Sequence, residues 1–260
     1  KSQSLVENLV NKAHLNEDDT VLEIGPGNGI ITRVLAKKLG KIIAIEKDKI
    51  LYEKLKESFK ESKNVSLMNL DFLKYNLKFL EDYKVFSNIP FSITSEIVRK
   101  LFQGTNPPSE AYLILQKEVG KKFLGGIFNK ETQSSLILKP FYDLKIIHEF
   151  KPFDFYPMPS VRVVMLKFRK KDDPDIELGH RKLYEDFIIY SFNQWKPNLK
   201  LALNKIFSNL QFKLLSKNLM FKTDSKPSDL TFEQWLKLFS QFVVLVPGFK
   251  QDVVRGSEER

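Results

Sequence analysis

The sequence predicts an α/β fold, a mostly parallel sheet flanked by helices, followed by a smaller helical domain. Three observations predict it. Apolar strand-like runs alternate with helix-like runs from the start to about residue 170. The first strand-like run ends in glycines at alternating positions, Gly25, Gly27 and Gly29. After a charged, proline-containing stretch, 169–175, the pattern turns purely helical.

In chain order, Ser4 to Ala13 reads as a helix, and Val21-Leu22-Glu23-Ile24 as a short apolar strand with an embedded acid. Gly25-Pro26-Gly27-Asn28-Gly29 runs straight into a second helix, Ile30 to Leu39. A missing side chain lets backbone approach a nucleotide-like ligand, and tight turns often need positive φ. The spacing Gly-x-Gly-x-Gly, where a dinucleotide fingerprint has Gly-x-Gly-x-x-Gly, points from NAD towards S-adenosylmethionine. Glu23, Gly25, Gly27 and Gly29 are therefore cofactor-binding candidates.

Lys41 to Glu46 reads as the next buried strand, and the acid at its end suits hydrogen bonds from ribose hydroxyls. A helix over Ile50 to Ser62 follows, with Leu51, Leu55 and Phe59 on one face. The third strand, Val65 to Leu70, ends in Asp71-Phe72. Asp71 can accept from an adenine amino group while the Phe72 ring covers its face. Three strands, each ending in a suitable group, form a cofactor signature.

Val85-Phe86-Ser87 leads into Asn88-Ile89-Pro90-Phe91, which carries the chemistry. An exocyclic amine on adenine or cytosine is a poor nucleophile because its lone pair is delocalised into the ring. The Asn88 side-chain oxygen and the Ile89 main-chain carbonyl can accept its hydrogens. Pro90 fixes φ and biases the residue before it towards extended geometry. Phe91 can stack on an extruded base. Ser95 to Phe102 and Lys117 to Leu124 then read as helices around a strand at Ala111 to Leu115. Two late strands, Leu144 to Phe150 and Val161 to Phe168, flank a double-proline loop.

Together, Glu-Ile-Gly-x-Gly-x-Gly, Glu46, Asp71 and Asn-Ile-Pro-Phe resemble the ribosomal RNA adenine N6-methyltransferases, which include the Erm enzymes and the housekeeping small-subunit dimethyltransferases. The resemblance continues through 95–101 and 115–119 to Phe155-Tyr156-Pro157-Met158-Pro159-Ser160-Val161. It implies a Rossmann-like S-adenosylmethionine-dependent methyltransferase domain, with Phe155 packing near the target base. Asn-Ile-Pro-Phe followed by Ser-Ile-Thr-Ser, and the segment 229–239, resemble the Erm branch more than the housekeeping one. The resemblance thus implies transfer to an adenosine of 23S rRNA and resistance to macrolide, lincosamide and streptogramin B antibiotics. Two departures stand out. The sequence runs from Lys1 directly into the first helix, without the family's Gln-Asn-Phe-like segment, and Ser160 stands where many relatives carry Lys.

Composition limits the alternatives. At 260 residues the chain holds one full α/β domain and a smaller appendage. With no cysteine it has no disulfide or thiol chemistry, and its three histidines are scattered, so no metal site is expected. No apolar run approaches a membrane span and no signal-peptide pattern opens the sequence, so a cytoplasmic protein is expected. A monomer is expected. The net charge of +10 suits a polyanion such as ribosomal RNA. From Lys196 to Lys222 there are six lysines and no acid, which marks Lys196, Lys200, Lys205, Lys213 and Lys217 as RNA-backbone contacts.

The expected domains are 1–171, catalytic, and 172–246, helical and RNA-binding, with 247–260 a tail of uncertain order. Helices are expected over Arg181 to Gln194, Leu199 to Ser208 and Thr231 to Phe242. Phe187, Tyr190, Phe192 and Trp195 are expected in the core. Three other functions compete: a small-subunit rRNA dimethyltransferase, a non-catalytic RNA-binding factor on the same fold, and a DNA adenine methyltransferase. Ile89 counts against the last, whose motif places Pro directly after the Asp or Asn.

Overall fold

Apolar runs such as Val21–Ile24 and Ile42–Ile45 have no polar alternation, so both faces of their strands need cover. The structure, a computed structural model describing residues 3–127 and 130–257, places them centrally in one seven-stranded sheet. The strands are β1 (Thr20–Ile24), β2 (Lys41–Glu46), β3 (Val65–Asn69), β4 (Tyr83–Asn88), β5 (Glu110–Gln116), β6 (Tyr142–Glu149) and β7 (Val163–Lys170). Their order is β3-β2-β1-β4-β5-β7-β6. Pairings from β3 through to β5 are parallel, and β5 pairs with β7 antiparallel. The chain builds outward from β1 to β3 on one side and then restarts with β4 on the other. That reversal between β1 and β4 is where open α/β sheets leave a crevice for ligands.

The helices are α1 (Gln3–Lys12), α2 (Ile30–Ala36), α3 (Lys49–Ser58), α4 (Thr94–Phe102), α5 (Lys117–Leu124), α6 (Gln133–Leu138), α7 (Arg181–Asn193), α8 (Leu199–Ala202), α9 (Asn209–Asn218), α10 (Phe232–Leu245) and α11 (Gly248–Gln251). One core cluster combines Val6, Leu9 and Val10 of α1 with Ile31, Val34 and Leu35 of α2, and with sheet residues Val21, Ile42, Phe86 and Tyr112. Burying each such side chain contributes roughly 1.5–3 kcal/mol. The chain divides into two compact units, 1–120 with 143–170, and 121–142 with 171–260.

The second unit thus takes in 121–142, which a single cut after residue 171 assigns elsewhere. The physical reason lies in its contacts. The Tyr184 hydroxyl of α7 donates to the Leu136 carbonyl, and the Arg181 guanidinium lies 4.6 Å from the centre of the Phe141 ring. An aromatic core holds this unit together: Phe187 stacks on Phe242 at 4.6 Å and meets Trp235 edge-on at 6.0 Å.

Two further expectations change. The helix read as Leu199 to Ser208 stops at Ala202, and Ser208 instead caps α9 in a reciprocal capping box with Gln211. The segment after 246 is packed as far as 257. Val254 is fully buried, and the Gly256 N–H donates to the Asp186 carboxylate at 3.2 Å.

Candidate active site and family

The predicted site residues of the first unit collect at the carboxyl ends of its parallel strands. At the end of β1, Gly25, Gly27 and Gly29 all have positive φ, between 60° and 71°. The three are not equivalent. A Cβ on Gly29 would stand 2.7 Å from the Leu55 side chain and 2.9 Å from the Phe59 ring, so this glycine lets α2 and α3 pack. A Cβ on Gly27 would meet nothing within 4 Å, so its bare backbone borders open space.

Glu46 fixes this loop from the end of β2. One carboxylate oxygen accepts from the Gly27 N–H at 3.0 Å and the other from the Asp48 N–H at 2.9 Å. Each oxygen keeps a second lone pair, as acceptance from ribose hydroxyls requires.

Glu23 plays a different part from the one expected of a cofactor ligand. It is buried to 1% exposure beneath the loop and accepts a 2.7 Å hydrogen bond from the Thr32 hydroxyl of α2. Burial, reinforced by the nearby Glu46 charge and opposed by the Thr32 hydrogen bond, pushes its pKa up to about 8. The side chain tethers α2 to β1.

Between β1 and β4 the backbone pairing runs only from Thr20↔Tyr83 to Leu22↔Val85. Beyond it, the buried Ser87 hydroxyl donates to the Ile24 carbonyl at 2.6 Å and accepts from the Ile24 N–H at 3.3 Å. A side chain thus replaces the ladder where the strands part.

Immediately after Ser87, burial alternates. Ser87 and Ile89 are buried, while Asn88 and Pro90 are exposed. The Ile89 N–H donates to the Ile114 carbonyl of β5 at 3.3 Å, which anchors the loop. Asn88 is therefore held at the carboxyl end of β4 with its neighbours locked into the core. Phe91 and Phe155 both pack, half-buried, against the same core cluster. Phe155 is supported by Phe150 at 5.1 Å, which His148 meets edge-on at 4.7 Å. Burial lowers the pKa of His148.

At β3 the picture departs from expectation. The Asp71 carboxylate is engaged by the Lys47 ammonium at 2.8 Å and by the Leu73 N–H at 3.0 Å. The Lys47 hydrogen bond, then that of Leu73, holds its pKa below the usual value. The Phe72 ring is 4% exposed beneath the Lys100 ammonium, so it is a core residue and not an open cover for a base.

The lysines of the proposed RNA face lie in the second unit. Lys196, Lys205, Lys213 and Lys217 are exposed, and Lys200 is half-buried in α8. Lys213 and Lys217 stand one turn apart on α9. Trp195, expected in the core, is 99% exposed. A cavity of about 630 Å³ in this unit is lined in part by two ion pairs, Lys139 with Glu131 and Lys130 with Asp229. No predicted site residue lines it. Among the described residues, no group of three or more potential ligands forms a metal site, and no helix is long and apolar enough to span a membrane.

Comparison with known proteins identifies the family. The family model described as ribosomal RNA adenine dimethylase matches residues 1–243. An rRNA adenine N-6-methyltransferase of Bacillus licheniformis is 30% identical, over 92% of this chain and 83% of its own length. A ribosomal RNA small subunit methyltransferase A of Mycoplasmopsis pulmonis is 31% identical, over 79% of this chain and 81% of its own. Among solved structures, the 23S rRNA methyltransferase ErmE shares the fold, with a TM-score of 0.79 and 23% identity, covering 94% of this chain and 98% of that one. The chain belongs to the ribosomal RNA adenine dimethylase family of methyltransferases.

Proposed function

We propose that the protein transfers a methyl group from S-adenosylmethionine to N6 of an adenosine in 23S rRNA, conferring resistance to macrolide, lincosamide and streptogramin B antibiotics. The observation that carries this reading is Asn88, exposed at the end of β4 between buried Ser87 and Ile89. Its side-chain oxygen, with the Ile89 carbonyl, accepts the hydrogens of the target amine and turns the nitrogen lone pair towards the reacting carbon. Phe91 and Phe155, backed by one core cluster, clamp the extruded base.

The residues present fit the cofactor. Gly27 borders open space, Gly25 and Gly29 turn the backbone around it, and Glu46 retains lone pairs for the ribose. Asp71 serves the adenine amine alongside Lys47. S-Adenosylmethionine supplies a methyl group already activated by the sulfonium, so the chain's task is alignment and hydrogen-bond acceptance. Lys196, Lys200, Lys205, Lys213 and Lys217 hold the RNA backbone.

Support for the large-subunit target comes from the similarity of Asn88-Ile89-Pro90-Phe91-Ser92-Ile93-Thr94-Ser95 and of 229–239 to the Erm branch. The test offers protein-free 23S and 16S rRNA in parallel with labelled cofactor. Label in 23S rRNA is expected. Label confined to 16S rRNA would transfer the protein to the small-subunit reading, which the Mycoplasmopsis pulmonis relative also favours.

A further inference from the structure

Trp195 combines features that packing does not explain. It is 99% exposed, although tryptophan has among the largest apolar surfaces to bury. Its φ is +50°, a conformation that L side chains rarely adopt. It directly follows Gln194, the residue that caps the C-terminus of α7, at a position where helices usually place glycine. A bulky ring there gains no contact from the fold and strains the backbone.

The core does not lack an aromatic for want of it. Phe187 and Trp235 are fully buried, and Phe192 stacks on Trp235 at 5.9 Å. The backbone that follows the ring is anchored. Pro197 stiffens the chain two residues on, and Leu199 is buried with its N–H donating to the Ser225 carbonyl at 2.8 Å. Backbone already anchored beside the ring adds little ordering cost when the ring stacks.

The chemistry around it indicates the partner. Exposed Lys196 follows at once, and no acid occurs from Trp195 to Lys222. An aromatic face beside a one-sign cationic run suits single-stranded nucleic acid, where bases stack and phosphates meet lysines. It suits a paired duplex poorly, because paired bases already stack on one another. Backbone strain held at an exposed site is also a mark of function.

We propose that Trp195 is a stacking platform for an unpaired base of the RNA substrate, with Lys196 contacting the adjoining phosphate. The proposal rests on the RNA-modifying reading above and adds a contact to it. The test uses the full chain with two probes, poly(A) and a blunt, fully paired RNA duplex. Binding of poly(A) is expected to quench the emission of Trp195, while buried Trp235 gives a constant background that Trp195→Gly isolates.

Trp195→Gly is expected to weaken poly(A) binding about fivefold or more, and to leave duplex affinity and the salt dependence of binding unchanged. Its melting temperature should be no lower than wild type, since glycine relieves the strained φ. Trp195→Phe should recover most of the lost affinity. Lys196→Ala should weaken both probes and reduce the salt slope by about one. Equal poly(A) binding by wild type and Trp195→Gly, or emission that ignores bound poly(A), would overturn the proposal and leave a protein partner for the ring. If the platform responds while 23S rRNA takes no label, the catalytic reading fails and the stacking contact stands.

Discussion

The hydroxyl of Ser87 occupies both backbone hydrogen-bonding groups of Ile24, donating to its carbonyl at 2.6 Å and accepting from its N–H at 3.3 Å. This contact satisfies β1 where its pairing with β4 ends, and it sits between the glycine loop and the Asn88 loop. Ser87→Ala would leave buried polar groups without partners. It is expected to destabilise the protein by about 1–3 kcal/mol, measured by urea unfolding. An unchanged unfolding midpoint would show that the strands re-pair without the hydroxyl.

The glycines separate packing from ligand access. Gly29→Ala combines a positive φ with clashes against Leu55 and Phe59, and should cost about 1–3 kcal/mol of stability. Gly27→Ala meets no neighbour, so its stability cost should be roughly 1 kcal/mol, from backbone conformation alone. Calorimetric titration with S-adenosylmethionine should nevertheless show the greater loss relative to stability in Gly27→Ala. Wild-type affinity in that variant would remove Gly27 from the cofactor site.

Glu23 links stability to pH. Its folded-state pKa, about 8, lies above the ordinary carboxyl value, so folding favours the protonated form. That contribution is fully present below the unfolded pKa near 4.5, declines as pH rises, and is lost once pH passes about 8. Its full size is on the order of a few kcal/mol. Glu23→Gln should flatten this decline between pH 5 and pH 9 in thermal melts. Parallel pH profiles for the two proteins would place the proton elsewhere.

These cases mark what the sequence made legible. The glycine turn, Glu46 and the Asn88 loop are local signals, because strand ends and turns write their geometry into adjacent residues. The setting of Glu23 is less legible, because its partner, Thr32, lies on the following helix and only the packed fold buries the pair. The surroundings of Phe72 and Asp71 are not local either, since Lys100 of α4 lies over the Phe72 ring and Lys47, just after β2, pairs with Asp71. The assignment of 121–142 likewise depends on side chains far along the chain, such as Tyr184 and Arg181. Trp195 shows the converse. Phe187, Tyr190 and Trp235 of that unit follow the core pattern, whereas the left-handed backbone and exposure of Trp195 set it apart from them.

The lysines of α9 predict a salt-dependent signature. Replacing Lys213 and Lys217 together by Ala should reduce the slope of log affinity for 23S rRNA against log salt by about 1.5, two phosphate contacts' worth. Affinity for S-adenosylmethionine should not change. An unaltered salt slope would move the RNA face away from α9.

Asn88 bears the central claim. The decisive measurement is single-turnover methyl transfer to 23S rRNA by wild type and Asn88→Ala, with equilibrium binding of cofactor and RNA determined on the same preparations. Asn88→Ala is expected to bind both partners and to transfer the methyl group at least about a hundredfold more slowly, because it lacks the acceptor that aligns the amine. Transfer at the wild-type rate by Asn88→Ala would contradict that claim.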